Sequence, residues 1–327
     1  MASFRTALSI PRAPFDIRHS DRLLCIGSCF AEHIAARLSG EKFQAMLNPT
    51  GIVYNPLAMR RCLDLVMSDK VFGQEDLFLQ DELWHSFDHH GSFSHPDPEL
   101  TLRQINETLF HVRSTLTITN RLILTLGTAF VFTHLPSGKV VSNCHKLPGQ
   151  HFIKRRISVK ETIEALVPVL TQLKSQNPLL EIIVTVSPVR YLRDGLIENQ
   201  RSKATLLLAL SELAGSMDYV HYFPSYELVV DDLRDYRFYE SDMAHPNEQA
   251  VDYIWDHFRH TYFDEPTKML SDRIEKIRTA VGHRPLHPGT NAHRQFAMTQ
   301  LEKIKDLQQS APYLDFSHEI TALESVL

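Results

Sequence analysis

The chain has no excess of positive charge: 34 Lys plus Arg stand against 39 Asp plus Glu, a net charge of −5. A general nucleic-acid binder carries a basic surplus to neutralise phosphates, so that class of partner is excluded. Cysteine is scarce. Cys25, Cys29, Cys62 and Cys144 are widely spread and include no C-x-x-C pair. Neither a zinc knuckle nor a disulfide framework is expected from them. Long apolar runs are missing too. The longest lies in Ala204–Leu210, far too short to span a bilayer, so no membrane partner is expected. The opening segment from Met1 to Pro14 is broken by Arg and Pro and lacks the apolar centre of a secretory signal. A soluble, cytoplasmic protein with reduced thiols is the expected setting. No internal repeat or low-complexity tract is evident.

What is present is an ordinary globular composition, 43% hydrophobic and 22% charged, which excludes disorder over most of the chain. The 327 residues divide into about two domains at typical domain size. One count stands out, 18 His, and it invites a metal reading.

Five short apolar runs followed by turn chemistry read as buried strands: Leu23–Ile26, Phe43–Leu47, Leu122–Leu126, Ile182–Val186 and Tyr219–Tyr222. Helical patterns separate them at Ala31–Leu38, Pro56–Met67, Leu102–Leu116, Val159–Leu173 and Ala204–Leu213. The alternation predicts a parallel sheet covered on both faces, with the site at the carboxyl edge of the strands. Two insertions interrupt it. Residues 68–101 carry Trp84-His85-Ser86-Phe87-Asp88-His89-His90 and His95; residues 130–157 carry a hairpin turning at Pro136-Ser137-Gly138. Long insertions of this kind usually serve as lids or binding loops. After Pro266 two amphipathic helices are expected, one through Met269, Leu270, Ile274 and Ile277, the other through Ala297, Leu301, Ile304 and Leu307, joined by a linker at 282–289. The expected organisation is therefore a catalytic α/β domain over 1–263 and a helical extension over 264–327. The extension's apolar stripes must bury against the first domain or in a homo-oligomer.

Two segments can carry chemistry. In Ile26-Gly27-Ser28-Cys29-Phe30-Ala31 a strand ends and a helix starts at once, which puts the Ser28 hydroxyl on a tight turn beside helix N-terminal amides. A helix N-cap is the alternative role for that serine. In Ser241-Asp242-Met243-Ala244-His245-Pro246-Asn247 an Asp precedes a His by three residues in a loop entering a helix. The carboxylate can hold one ring nitrogen and leave the other free as a base. The alternative is a capping Asp with an exposed His. Chain order Ser28…Asp242…His245 makes a triad-type set.

With these residues in place, the sequence resembles the bacterial GSCFA family, named for Gly27-Ser28-Cys29-Phe30-Ala31, which belongs with the SGNH (GDSL-like) hydrolases. The likeness runs from about Phe4 to Tyr262. It takes in Asn48-Pro49 through Gly51 to Tyr54-Asn55-Pro56, Leu83–Asp88, Gly127-Thr128-Ala129-Phe130, Asn143-Cys144-His145-Lys146-Leu147-Pro148, Val186–Arg190, Glu198–Ala204 and Asp242–Asn247. The resemblance implies a three-layer α/β/α, flavodoxin-like fold with a five-stranded parallel sheet. It implies Ser28 as nucleophile, His245 as base and Asp242 as its orienter. It also implies an oxyanion glycine, for which Gly51 is the candidate, and a block-three Gly-x-Asn. Here block three reads Gly127-Thr128-Ala129, without the Asn, and Asn143 or Thr128 is the substitute. The implied activity is a serine esterase acting on a small or carbohydrate-linked ester, such as an O-acetyl group. The alternatives are a non-catalytic ligand-binding protein on the same fold and an O-acyltransferase.

Other polar residues admit two roles each. Asn143 and His145 line the pocket or satisfy a turn. Arg190 binds an anionic substrate group or pairs with Asp194. Glu198–Lys203 is a substrate-facing loop or a solvated helix start. Cys29 is a thiol nucleophile or a small buried residue. His85, His89, His90 and His95, with Asp88, form a metal site, or, with Trp84, Phe87 and Phe93 interleaved among them, a lid over the pocket; the lid is the expectation, with no metal and no cofactor.

Overall fold

The computed structural model describes residues 6–283 and 285–327. Residues 1–5 of the opening segment and Arg284 of the 282–289 linker lie outside the described residues.

Among the described residues ten strands follow in chain order: β1 (Arg22–Gly27), β2 (Gln44–Leu47), β3 (Phe78–Gln80), β4 (Leu83–His85), β5 (Arg121–Leu126), β6 (Phe130–His134), β7 (Lys139–Val141), β8 (Phe152–Arg156), β9 (Glu181–Val186) and β10 (Val220–Tyr222). The helices are α1 (Cys29–Gly40), α2 (Pro56–Met67), α3 (Pro98–Leu116), α4 (Val159–Gln176), α5 (Gly195–Ser216), the single turn α6 (Ser225–Glu227), α7 (Glu248–Tyr262), α8 (Glu265–Gly282), α9 (Asn291–Ser310) and α10 (Ser317–Glu324).

The five strands expected from the apolar runs form one sheet in the order β10-β9-β5-β1-β2, every neighbour parallel. Counted among themselves they run 2-1-3-4-5, the flavodoxin-like winding, which reverses between β1 and β5. Strand alternation sends Leu24 and Ile26 to one face and Leu23 and Cys25 to the other. The first pair packs with α2, α3, α4 and α5 through residues such as Leu63, Leu109, Leu170 and Leu206. The second packs with α1 and α7 through Ile34, Leu38, Ile254 and Phe258. Both faces are therefore covered, and the inner strands β1, β5 and β9 read as nearly continuous apolar runs because neither of their faces meets water.

The insertions are more ordered than their sequence suggests. Residues 68–101 contain the antiparallel hairpin β3–β4, and 130–157 add a third strand, β8, to the expected hairpin in the order β7-β6-β8. The insertions meet where Ser142 N donates to Phe87 O, where Phe87 lies against His134 and where the Phe78 ring meets His145 edge-on. The tail adds α10 to the two expected helices. Its apolar stripes close on one another: Ile274, Ile277, Ala297, Ile304, Leu307, Leu314, Phe316 and Leu323 form a separate core. Burial is thus met inside the tail itself, not chiefly on the first domain. Lys42 Nζ, 2.7 Å from Glu319, and an Arg259–Asp272 pair tie the tail to the sheet-bearing part. Among the described residues no helix is long and apolar enough to cross a membrane.

Candidate active site

Gly27 ends β1 and Cys29 begins α1, so Ser28 occupies the whole strand-to-helix turn. It stands beside the switch point between β1 and β5, where open α/β sheets bind ligands. By position Ser28 is the N-cap of α1, yet its side chain makes no capping bond. Asn55, Asp97, Ser158, Asn247, Asp264 and Thr290, the N-caps of six other helices, all accept from an amide in their helix's first turn. Ser28 Oγ is instead buried with no partner. A buried polar atom left open is rare enough to call for an explanation, and N-capping does not supply it.

Asp242 and His245 lie in the loop before α7. His245 Nδ1 sits 2.6 Å from Asp242 Oδ2, while Asp242 Oδ1 accepts from the amides of Ala244 and His245. These bonds, the His245 amide first, hold the Asp242 carboxyl down at about 2. The loop is moored to the sheet edge by Arg190, whose amide donates to Ala244 O at 3.0 Å and whose guanidinium lies over the rings of Tyr236 and Tyr239. Arg190 does not pair with Asp194; that carboxylate takes Lys154. His33, one helical turn beyond Ser28 on α1, is depressed chiefly by burial and in part by the charge of nearby His245. Ser28 Oγ and His245 are not hydrogen bonded, since Ser28 Oγ has no partner. Such contacts commonly tighten only when a substrate fills the site.

A cavity of about 50 Å³ opens over the serine, lined by Ser28, Cys29, Tyr54, Gly127, Thr128, Ser187, Val189, Arg190 and Tyr191. Gly127 belongs to it for a steric reason: a Cβ there would lie 3.3 Å from Ser28 Cβ. The block-three amides are spent, however. Gly127 N and Thr128 N both donate to Tyr54 O, at 2.8 and 2.9 Å, and Thr128 Oγ1 pairs with Ser202 Oγ. The amide of Gly51 is spent as well, on Asn48 O at 2.7 Å. Gly51 is required instead by its left-handed φ of 78° and because a Cβ would collide with His90. The first amides of α1, those of Cys29 and Phe30, have no intrahelical acceptor by position and are the nearer source of oxyanion donors. Cys29 shares the cavity, but burial, then the charge of Glu32, pushes its thiol up, away from a nucleophilic thiolate.

Trp84, His85, Asn143 and His145 do not line this cavity. They belong to the junction of the two insertions. His85 spends both ring nitrogens, on Ser94 Oγ and Gln80 O, and its ring lies against His145. His145 Nε2 meets Ser86 O at 2.8 Å, and Asn143 Oδ1 accepts from the His145 amide in a local turn. Trp84 faces Leu79 across the β3–β4 hairpin and donates its amide to His95 O. Among the described residues no group of three His, Cys, Asp or Glu is placed to hold a metal. In the structure His85, Asn143 and His145 have hydrogen-bond partners within the insertions, and Trp84 is paired through its backbone.

The sequence reading missed the polar face of α5. The helix begins at Gly195, so Glu198–Lys203 is neither a loop nor wholly solvated: Asn199, Ser202 and Lys203 are buried. Asn199 Oδ1 accepts from Tyr191 N, Ser202 Oγ accepts from Ala129 N, and Lys203 Nζ donates to Gly127 O and Ser187 O at 2.7 and 2.6 Å. Three residues of one helix face thereby fasten the segments that follow β5 and β9. The signal was available. Positions 199, 202 and 203 continue at helical spacing into buried Leu206, Ala209, Leu210 and Leu213.

Comparison with known proteins agrees with the motifs. The GSCFA family profile matches residues 22–258, and a second, for the GSCFA domain protein C-terminal domain, matches 274–327. No curated protein sequence matches the chain. Among solved structures, an acetyl xylan esterase (Est2A) from the rumen bacterium Butyrivibrio proteoclasticus is similar over 80% of this chain, at 13% identity and a TM-score of 0.36, and the chain spans 65% of that esterase's length. With the first profile running across most of its length, from the start of β1 into α7, the chain belongs to the GSCFA family.

Proposed function

We propose that the protein is a serine ester hydrolase of the SGNH type, acting on a small or carbohydrate-linked ester through an acyl-enzyme. Ser28 Oγ attacks the acyl carbonyl carbon while His245 Nε2 takes the hydroxyl proton. Asp242 holds Nδ1 and stabilises the imidazolium that forms. The tetrahedral intermediate collapses by expelling the alcohol, which leaves with the proton from His245. Water then attacks the acyl-enzyme, His245 accepts its proton, and the acid departs as Ser28 regains its hydrogen. Arg190, free of carboxylate partners among the described residues, keeps the His245 loop against the sheet edge. The observation that carries this reading is the serine at an N-cap position that does not cap, on the same sheet edge as a histidine held by an aspartate.

A second reading, a ligand-binding protein without turnover, draws on the amides of Gly51, Gly127 and Thr128, all committed elsewhere. Loss of one oxyanion donor typically costs about 10²–10³ in rate. Hydrolysis of short-chain aryl esters by the wild type and by Ser28→Ala decides between the two. Turnover in the wild type that disappears in the variant is expected; equal rates, or none in either, would favour the second reading.

A further inference from the structure

Lys203 is 1% exposed, and its ammonium has no carboxylate partner among the described residues. Burying a lone charge is costly, and proteins usually pair it or discharge it. Burial accordingly pulls Lys203 down to about 7, with the Cys29 thiol acting weakly the other way. A lysine kept in so expensive a place without a counter-ion calls for an explanation beyond packing. A methionine of similar volume would fill the same space.

Its position supplies one. Lys203 donates to the carbonyls of Gly127 and Ser187, the residues that directly follow β5 and β9. Both residues line the cavity over Ser28, and Gly127 lies against the serine itself. The ammonium is thus one residue behind the cavity floor. Two of its three protons are used, and the third has no acceptor among the described residues. The titratable or charged groups around it are Cys29 from α1, Tyr226 from α6, whose ring centre is 5.8 Å away, and Arg190, Tyr54 and Tyr191 on the cavity. None of these is an anion at neutral pH; the carboxylates beyond them, Glu32 acting on Cys29 and Tyr54 and Glu227 acting on Tyr226, form no ion pair with Lys203 among the described residues. On the serine-hydrolase reading, a negative charge arises in that cavity, at Ser28, during acyl transfer.

We infer that Lys203 is a positioning residue for Ser28: as an ammonium it holds the Gly127 and Ser187 carbonyls in register and offsets the oxyanion formed in the cavity. The inference rests on the serine-hydrolase reading. It adds a positive field from behind the floor, where the usual amide donors are spent. Electrostatic stabilisation of this kind acts most strongly where water is excluded. The site is then active only while Lys203 carries its proton.

The test uses the full-length protein and a fluorophosphonate, whose addition to serine creates an anionic phosphoryl oxygen. Labelling rates of wild type, Lys203→Met and Ser28→Ala are followed by intact mass from pH 6 to 9, alongside melting curves. Lys203→Met is expected to melt cooperatively and to label about tenfold to a hundredfold more slowly at neutral pH, a smaller loss than that of a direct oxyanion donor. The wild-type rate is expected to fall above about pH 7 as Lys203 discharges, and the variant is expected to lack that fall. Wild-type labelling at Ser28 with a Lys203→Met rate within threefold, and the same pH profile, would overturn the role of Lys203 while leaving Ser28 as nucleophile. Should Lys203→Met not fold, Lys203→Gln, which keeps two donors without the charge, is read the same way: a labelling rate within threefold of wild type overturns the inference. Absence of labelling in the wild type would overturn the serine-hydrolase reading, and the inference with it.

Discussion

Two regions of this protein gather buried polar groups, and they treat them in opposite ways. At the junction of the insertions, His85 has both ring nitrogens bonded, His145 is tied to Ser86 O, and Asn143 closes a turn; His89, whose Nε2 is buried without a partner, is the exception there. At the carboxyl edge of the sheet, Ser28 Oγ is buried without a partner, Lys203 is buried without a counter-ion, and His245 is aligned by Asp242. Satisfied polar groups rigidify a fold; unsatisfied ones cost stability and mark places where another molecule supplies the missing partner. Histidine count alone pointed to the first region. Partner accounting points to the second.

Substitutions that exchange the two behaviours probe this contrast. The largest effect is expected at the sheet edge. Asp242→Asn should lower ester turnover by about 10² or more, because the amide can hold the wrong imidazole tautomer and cannot stabilise the imidazolium. Its melting temperature should hardly move, since Asp242 is exposed. Parallel measurement of kcat and of thermal unfolding checks both halves. A large loss of stability with unchanged turnover would place Asp242 with the structural polar groups.

The converse is expected in the insertions. His85→Phe removes two hydrogen bonds from a buried ring, so about 1–3 kcal/mol of stability should be lost, read by urea unfolding. Activity of the folded fraction should stay within about threefold of wild type, a change too small to reflect loss of a catalytic contact. A loss of turnover comparable to that of Asp242→Asn would return His85 to the active site.

A subtler effect is linked to pH. Burial pulls His89 down to about 4, against 6.5 for the free side chain. Between these values the unfolded chain binds a proton that the folded chain refuses, so stability is complete above about pH 6.5 and drains away as pH falls towards 4. That gap corresponds to a contribution on the order of 3 kcal/mol. His89→Leu should flatten part of the acid limb of a stability–pH curve, with His19 and His145, also held near 4, sustaining the remainder. An acid limb unchanged in this variant would show that His89 does not resist protonation.

Much of this contrast was legible in the residues themselves. The sheet strands stand out because a parallel strand buried on both faces leaves a nearly continuous apolar run, as in Leu122–Leu126 and Ile182–Val186, each broken only by one buried threonine. Ser28, Asp242 and His245 stand out because turn-and-cap positions next to strong periodic elements leave few places for them. Strands β3, β4 and β8 were hidden for the opposite reason. They are short and half exposed, and Phe152–Arg156 carries three basic residues on a strand that buries little. Lys203 was hidden by composition: within Glu198–Lys203 it reads as one more solvated charge, and only the helical register that continues into Leu206 and Leu210 puts it inside. The oxyanion donors were hidden because backbone amides leave no mark in a sequence. Whether Gly51 N or Gly127 N is free depends on where Asn48 O and Tyr54 O happen to lie.

The central claim is that Ser28 becomes acylated. Mixing the protein with an aryl acetate, quenching in acid within the first turnover and mapping peptides by mass tests it directly. One acetyl group on the peptide carrying Ser28, localised to that serine and absent after Asp242→Asn or His245→Ala, is the predicted result. Acetyl on Cys29, acetyl spread over surface lysines, or no adduct during measurable turnover would contradict it.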